Sequence, residues 1–318
     1  MPDTAKRIVF MGSPDFAVAS LDALCDTARY RPNLVVSQPD RPRGRGRTLA
    51  PTPVRARALA AGIPTLTMEK ASYEQGVRQM TAARPDAIVV VAFGLILRRD
   101  LLDLPPHGCI NVHASLLPRH RGVSPIQAAI LAGDAVTGCT TMHIDEGVDT
   151  GDILLQETLP VMGDDTAGAL SSRLAALGAR LLVRTLDGVF AGTVRAVPQD
   201  SSHATLTRKI RKHHGAIDWA RPARELERHV RAMTPWPSAF TFHRGRRVLV
   251  VGCGWTGTGA AAEPGRVTAL EPLTVACGEG ALLLHSLCPE GGRTMTAAEY
   301  LAGHPLDVGE ALGPPATR

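Results

Sequence analysis

The sequence is poor in aromatic residues and has no apolar segment long enough to cross a membrane. Phe, Trp and Tyr make up only 4% of its 318 residues, and no apolar run approaches the roughly 20 residues of a transmembrane helix. Residues 1–4 lead directly into a strand-like segment, without the regions of a signal peptide. These absences predict a cytoplasmic protein that is not bound to a membrane, and we expect it to act as a monomer.

Cysteine is present but lacks metal-binding or redox spacing. No C-x-x-C pair occurs, and no cysteine lies at zinc-ligand spacing from a histidine. We therefore expect reduced thiols, packed as small apolar side chains, and no bound metal. The six cysteines are Cys25, Cys109, Cys139, Cys253, Cys277 and Cys288.

A dinucleotide-binding fingerprint is also missing. The first strand-like run ends at Gly12, but no G-x-G-x-x-G follows it. A nicotinamide-dependent oxidoreductase is therefore a poor interpretation. The net charge of +5 is compatible with a polyanionic partner, yet it is too small to identify one.

Strands alternate with helices through the first part of the chain. The pattern predicts strands near residues 7–12, 34–37, 87–93, 109–113, 139–144 and 153–159, with helices at 15–27, 52–61, 125–132 and 166–191. Residues 39–51 read as a long polar loop. This order is typical of an α/β domain with a largely parallel sheet, whose sites lie at the carboxyl ends of its strands.

The pattern of strands and helices changes after a polar segment at residues 197–206. A helix at residues 222–233 is followed by short strand-like runs and glycine turns, which indicate a small β-barrel. We predict a catalytic domain over residues 1–190, a linker over 191–208 and a C-terminal barrel domain over 209–318.

One strand carries a pair of side chains suited to acyl transfer. Asn111 and His113 are two residues apart, so they project from the same face of the strand. An amide N–H donor beside a histidine can stabilise a developing oxyanion and handle one proton. Taken alone, a histidine on a strand is more often structural.

An acidic turn follows over residues 145–152. Four acids alternate with two glycines, and three interpretations stay open from these residues alone. The turn could be a solvated loop, it could supply a catalytic carboxylate from Asp149, or it could bind calcium. The calcium interpretation is the weakest, because the glutamate that closes an EF-hand loop is absent.

Several motifs together resemble the folate-dependent formyltransferase family. They are Asn111-x-His113-x-Ser115-Leu116-Leu117-Pro118, Arg121-Gly122, Pro125-Ile126-Gln127 and Gly147-Val148-Asp149-Thr150-Gly151. The segments at 12–17, 38–42 and 44–46 resemble the members that act on methionyl initiator tRNA. The resemblance implies a Rossmann-like catalytic domain, an OB-like barrel, and 10-formyltetrahydrofolate as the formyl donor.

The same resemblance implies roles for individual residues. Asn111, His113 and Asp149 would form the catalytic trio, in which Asp149 keeps His113 charged and oriented. The folate pocket would comprise Val91, Phe93, Gly94, Leu95, Ile96, Ser115, Leu116, Leu117 and Pro118. The tRNA contacts would comprise Arg41, Arg43, Arg45, Arg47, Lys209, Arg211 and Lys212.

Other functions compete with this interpretation. A formyltransferase acting on glycinamide ribonucleotide or an amino-sugar would share the trio but not the motifs at residues 38–47. A noncatalytic RNA-binding module would have no need of the trio. A side-by-side assay of the three acceptors distinguishes these possibilities.

Overall fold

The computed structural model describes residues 5–43, 48–258 and 262–313. The chain divides into two compact units. The N-terminal unit contains the described residues of Met1–Pro125, Val136–Pro160 and Ser171–Thr207; the C-terminal unit contains those of Ile126–Ala135, Val161–Leu170 and Arg208–Arg318. The predicted linker residues up to Thr207 therefore group with the N-terminal unit, while the predicted domain limits stay a prediction.

Seven strands of the N-terminal unit form one sheet, in the order β10-β9-β7-β6-β1-β2-β5. The five strands from β7 to β5 are parallel to one another, whereas β9 pairs antiparallel with both β7 and β10. The prediction of a largely parallel sheet is confirmed. The strands of this unit are β1 (Ile8–Gly12), β2 (Pro32–Ser37), β3 (Arg41–Arg43), β4 (Thr48–Ala50), β5 (Thr65–Thr67), β6 (Ala87–Val91), β7 (Cys109–His113), β8 (Arg121–Gly122), β9 (Val136–His143), β10 (Ile153–Pro160) and β11 (Leu206–Thr207).

The eight α-helices among the described residues are α1 (Asp15–Asp26), α2 (Pro53–Ala60), α3 (Tyr73–Ala82), α4 (Arg99–Leu102), α5 (Pro125–Ala132), α6 (Ala167–Ala191), α7 (Ala223–Met233) and α8 (Ala297–Gly303). None of the helices within the described ranges is long and apolar enough to cross a membrane.

The core of the N-terminal unit lies on both faces of the sheet. In β1, Ile8 and Phe10 belong to one buried cluster, whereas Val9 and Met11 belong to a second. Strand β6 alternates between the same two clusters. Successive side chains of a strand point to opposite faces, so uninterrupted apolar runs fit strands covered on both sides.

The C-terminal unit is built on an antiparallel sheet. Its strands are β12 (Ala239–His243), β13 (Arg246–Thr256), β14 (Val267–Leu270), β15 (Leu273–Ala276), β16 (Ala281–Pro289) and β17 (Met295–Thr296). They pair in the order β12-β13-β16-β15-β14, with β17 also on β16. Helix α7 packs against β13 and β16. Closure of this sheet into an OB-like barrel stays a prediction.

Several short elements were not predicted from the sequence, namely β5, α4, β8, β11 and α8, and two longer segments also differ from the expectation. Residues 39–51 are not a simple loop, because β3 and β4 pair antiparallel within them, with Arg41 opposite Ala50. The proline and arginine residues of this segment do not form a strand pattern in the sequence, because proline is tolerated in strands only at edges. Helix α3 is the second difference, because the sequence predicted no element there.

Candidate active site

Strand β7 carries two polar side chains among apolar ones. Ile110 and Val112 pack into the core cluster that contains Ile8. Because side chains alternate along a strand, Asn111 and His113 lie on the other face. His113 is buried and Asn111 half-buried. The sheet therefore holds an amide and an imidazole side by side at the carboxyl end of β7.

Asp149 comes from the acidic turn between β9 and β10. The Asp145 carboxylate organises this turn by accepting hydrogen bonds from the Gly147 N–H (3.0 Å) and the Thr150 hydroxyl (2.7 Å). Asp149 has a φ of 52°, in the left-handed region that aspartate adopts more readily than most residues. Among the described residues, no group of three His, Cys, Asp or Glu side chains could hold a metal ion.

The side chains of the predicted trio meet at the Asp149 carboxylate. Asn111 Nδ2 lies 3.5 Å from Asp149 Oδ1, and His113 Nδ1 lies 3.6 Å from Asp149 Oδ2. The Gly122 N–H donates a 2.7 Å hydrogen bond to the same Oδ2. The structure thus places one amide donor, one imidazole and one carboxylate around a common point.

The second ring nitrogen of His113 faces a main-chain carbonyl. His113 Nε2 is 2.9 Å from the oxygen of His120. A carbonyl oxygen only accepts hydrogen bonds, so Nε2 must carry the hydrogen of this contact. Nδ1, which faces Asp149, is therefore the nitrogen that can exchange a proton.

A glutamine that the sequence reasoning missed supports the acidic turn. Gln199 Nε2 donates to the carbonyl oxygens of Asp149 (2.9 Å) and Gly151 (2.7 Å). Its Oε1 accepts two hydrogen bonds from the buried guanidinium of Arg121. Gln199 lies in an irregular polar stretch, and no spacing in the sequence distinguishes it.

Two family models and several known proteins match this chain. The model of the formyl transferase family matches residues 6–186, and that of the formyl transferase C-terminal domain matches residues 209–305. The methionyl-tRNA formyltransferase of Moorella thermoacetica is 44% identical over 309 residues, covering 96% of this chain and 99% of that protein. That of Myxococcus xanthus is 45% identical over 305 residues, covering 95% and 96%.

The chain belongs to the methionyl-tRNA formyltransferase family. A solved structure with a similar fold is the N-formyltransferase of Helicobacter canadensis in complex with folinic acid and dTDP-3-aminofucose. It superposes with a TM-score of 0.64 at 18% identity, covering 88% of this chain and 99% of that one. At this identity the likeness concerns the fold alone.

The loop after β6, together with the last strand residue Val91, contains five of the residues that family resemblance assigns to folate. It leaves the same sheet edge as Asn111, because β6 and β7 are parallel neighbours. The side chains of Val91 and Phe93 are 0% and 2% exposed and pack in the core, so only their main chain could face a ligand. In contrast, Leu95 is half-buried and Ile96 is 77% exposed.

Gln38, the first residue of the segment at 38–42, is hydrogen-bonded to this loop. Gln38 Nε2 donates a 2.9 Å hydrogen bond to the Phe93 carbonyl. A Cβ at Gly94, which has a φ of 85°, would lie 2.8 Å from the same Nε2. Glycine is therefore favoured at this position by its conformation, and a Cβ would also require the Gln38 side chain to shift.

The turn after β7 contains the other four residues assigned to folate. Leu116 and Pro118 are half-buried, and Leu117 is buried. Ser115 is fully buried, and its hydroxyl donates a 2.6 Å hydrogen bond to the Arg119 carbonyl. The Ser115 side chain therefore closes the turn, and its contact with folate stays a prediction.

The basic residues predicted to contact tRNA lie in both units. In the N-terminal unit, Arg41 is exposed on β3 and donates a 3.0 Å hydrogen bond to Gln38. Arg43 is also on β3. Arg45 and Arg47 lie outside the described residues.

A basic depression in the C-terminal unit contains two more of these residues. Lys209 and Arg211 are exposed and line it. Lys212 is also exposed, at the start of a 3-10 turn that spans Lys212–Gly215. The depression is lined by Arg208, Lys209, Arg211, His213 and His214.

Proposed function

We propose that this chain transfers the formyl group of 10-formyltetrahydrofolate to the α-amine of methionyl initiator tRNA. The observation that carries the proposal is the convergence of Asn111, His113 and Asp149 at the end of β7. An amide donor, an imidazole and a carboxylate are the groups that acyl transfer to an amine requires. The 44% identity to the Moorella thermoacetica enzyme over nearly its whole length supports the choice of substrates.

Asn111 and His113 stabilise the charge that develops during transfer. As the amine nitrogen bonds to the formyl carbon, the carbonyl electron pair moves onto the formyl oxygen. The Asn111 amide donates a hydrogen bond to this oxygen. His113 donates through Nδ1 when its ring carries a proton on both nitrogens, since its Nε2 hydrogen is engaged by the His120 carbonyl. Neither residue forms a covalent bond with the formyl group.

Asp149 and His113 manage the protons. The attacking amine must lose one proton, and the folate nitrogen must gain one when its bond to the formyl carbon breaks. The Asp149 carboxylate accepts the proton of the amine, directly or through water, and protonated His113 gives its Nδ1 proton to the folate nitrogen. Return of the proton from Asp149 to Nδ1 then restores both groups. It also orients the imidazole through Nδ1, 3.6 Å away.

The apolar part of the folate would lie between two loops at one sheet edge. Leu95 and Ile96 come from the loop after β6, and Leu116, Leu117 and Pro118 come from the turn after β7. The large exposed surface of Ile96 supports this placement, because apolar side chains commonly line ligand sites. The main chain at 91–94 would complete the pocket.

The basic residues would bind the tRNA backbone. Arg41, Arg43, Arg45 and Arg47 belong to one segment, and Lys209, Arg211 and Lys212 belong to another. Lysine and arginine neutralise phosphates and release counterions, which supplies most of the sequence-independent affinity. We further propose that the chain acts as a cytoplasmic monomer, with a catalytic domain over 1–190, a linker over 191–208 and a tRNA-binding domain over 209–318.

The test compares three acceptors under identical conditions with 10-formyltetrahydrofolate as donor. We expect formylation of methionyl initiator tRNA and little transfer to glycinamide ribonucleotide or to a nucleotide-linked amino-sugar. Faster transfer to either small acceptor would refute the choice of tRNA. Absence of transfer to all three would refute the proposed function.

A further inference from the structure

Residues 199–207, here called the connector, follow α6 and have no part in the mechanism above. The sequence predicts them as a polar linker. In the structure they group with the N-terminal unit, and their side chains contact two turns. One turn carries Asp149, and the other carries the His120 carbonyl. These two groups face the two ring nitrogens of His113.

Gln199 fixes the turn on the Nδ1 side. Its two N–H groups donate to carbonyl oxygens of the acidic turn, at Asp149 and Gly151. Its oxygen accepts 3.0 Å and 2.8 Å hydrogen bonds from Arg121, a side chain only 5% exposed. Every polar group of the Gln199 amide is therefore used. A buried guanidinium fixes its orientation, and the amide in turn fixes the main chain beside the Asp149 carboxylate.

Thr205 fixes the turn on the Nε2 side. Its hydroxyl accepts a 2.8 Å hydrogen bond from the His120 N–H, and its carbonyl accepts a 2.9 Å bond from the Arg121 N–H. His120 has a φ of 58°, so its carbonyl is held in an uncommon orientation. Strand β11 continues the contact by pairing in parallel with β8. The connector is thus bonded along the whole turn that presents the carbonyl to His113.

Glycine at 122 shows how closely the connector approaches. Gly122 has a φ of 104°, and a Cβ there would lie 2.8 Å from the carbonyl oxygen of Thr207. The N–H of the same glycine donates to Asp149 Oδ2. One residue is therefore in contact with the connector on one side and with the site carboxylate on the other.

We propose that the connector positions His113 from both sides. Gln199 holds Asp149 against Nδ1, and Thr205 holds the His120 carbonyl against Nε2. Both are positioning residues, since each acts through another group and is assigned no contact with substrate. This inference rests on the proposed function and adds to it the residues that orient its imidazole.

The first test measures steady-state formylation of methionyl-tRNA by four variants of the full chain. Gln199→Leu removes all three hydrogen-bonding groups, and Gln199→Glu keeps the acceptor for Arg121 but loses both donors. Thr205→Val removes the hydroxyl, and Thr205→Ser keeps it. Gln75→Leu is the matched control, because Gln75 is an exposed glutamine on α3.

The two Gln199 variants should lose kcat by about 100-fold, the order of effect expected when a reacting group is misplaced by about 1 Å. Thr205→Val should lose about tenfold, which corresponds to about 1.4 kcal/mol, and Thr205→Ser should recover it. KM for both substrates should stay within about twofold, because removal of a contact made only in the transition state lowers kcat alone. Rescue by Gln199→Glu would show that the amide only satisfies Arg121, and would overturn the proposal.

The second test is a double-mutant cycle in single-turnover experiments. If Gln199 acts through Asp149, Gln199→Leu should have little further effect in an Asp149→Asn background. Thr205→Val should likewise add little to His113→Ala. Additive losses in both cycles would overturn the proposal, since a general loss of fold stability acts independently of the site residues.

The outcomes separate this inference from the function on which it rests. A wild-type chain that forms no formylmethionyl-tRNA would refute the proposed function. An active wild type and control, with kcat unchanged in Gln199→Leu and Thr205→Val, would refute the positioning role alone.

Discussion

Replacing Asn111 by alanine tests the central step of the proposed chemistry. The substitution removes the amide N–H that would donate to the formyl oxygen as its charge develops. Loss of one oxyanion donor typically costs about 2.7–4 kcal/mol of transition-state stabilisation. At 1.36 kcal/mol per tenfold, the expected fall in kcat is about 100- to 1000-fold.

The same substitution should affect the fold little. Asn111 is half-buried, and its hydrogen bond to Asp149 is 3.5 Å long, at the limit for such a contact. A bond of this length contributes less than the roughly 0.5–1.5 kcal/mol of a normal one. The free energy of unfolding should therefore change by less than about 1 kcal/mol. Activity and stability can thus be separated in one variant.

Single-turnover transfer from 10-formyltetrahydrofolate to methionyl-tRNA is the appropriate assay, because it isolates chemistry from product release. Asn33→Ala provides the control. Asn33 is an exposed strand asparagine whose amide donates a 3.3 Å hydrogen bond to the Ala83 carbonyl, away from the site. If Asn111→Ala matched this control in rate, the assignment of the oxyanion donor would be refuted. A large drop in the melting temperature of Asn111→Ala would instead contradict the expected change of less than about 1 kcal/mol in the free energy of unfolding.

Three further outcomes are expected. If the basic depression binds tRNA phosphates, Lys209→Ala combined with Arg211→Ala should reduce the salt dependence of tRNA binding. The slope of the logarithm of the association constant against log salt should become smaller by roughly 1.8, at about 0.9 per contact. An unchanged slope would show that neither side chain contacts a tRNA phosphate. Burial lowers the pKa of His229 below its usual 6.5 in the folded protein. The free energy of unfolding should therefore be highest above pH 6.5 and should decrease as the pH falls from 6.5 towards the lower folded-state pKa. In thermal melts, His229→Gln should reduce this decrease. Burial raises the pKa of Cys139 to about 12, so iodoacetamide should modify the partly exposed Cys288 long before Cys139 in the native protein; equal labelling, measured by peptide mass spectrometry, would contradict this.

The inner strands of the parallel sheet could be predicted because their apolar residues are buried on both faces, whereas the half-buried edge strand β5 was not predicted. Strands β1 and β6 are continuous apolar runs, and each face packs in its own cluster. The hairpin of β3 and β4 could not be predicted in this way. The described side chains of these two strands are exposed or half-buried, so no hydrophobic periodicity marks them.

Helix α3 had a weaker signal. Tyr73, Val77 and Met80 lie at helical spacing and pack in the second cluster. Gly76 interrupts the pattern, and its role is visible only in three dimensions: a Cβ there would lie 2.7 Å from the sulfur of Met68. Glycine permits this close packing although it lowers helix propensity.

The direction of a candidate side chain could be predicted from sequence where secondary structure sets that direction. The alternation along β7 predicted that Asn111 and His113 share a face. Phe93 shows the limit of this reasoning, because its side chain is in the core although its neighbours lie in a loop. The hydrogen bond of the Ser115 hydroxyl to Arg119 could likewise not be predicted, since it depends on a turn whose shape the sequence does not specify.

The two kinds of site residue are held by different means. Asn111 and His113 take their positions from a strand paired on both sides, so the sheet itself orients them. Asp149 lies in a turn, and its contacts come from Gly122 and Gln199, which are 27 and 50 residues away in sequence. A catalytic carboxylate in a turn needs such long-range support, because a loop alone does not hold a side chain with the precision of a strand. The polar connector supplies that support, which explains why a segment without hydrophobic periodicity is nevertheless bonded along its length to the site.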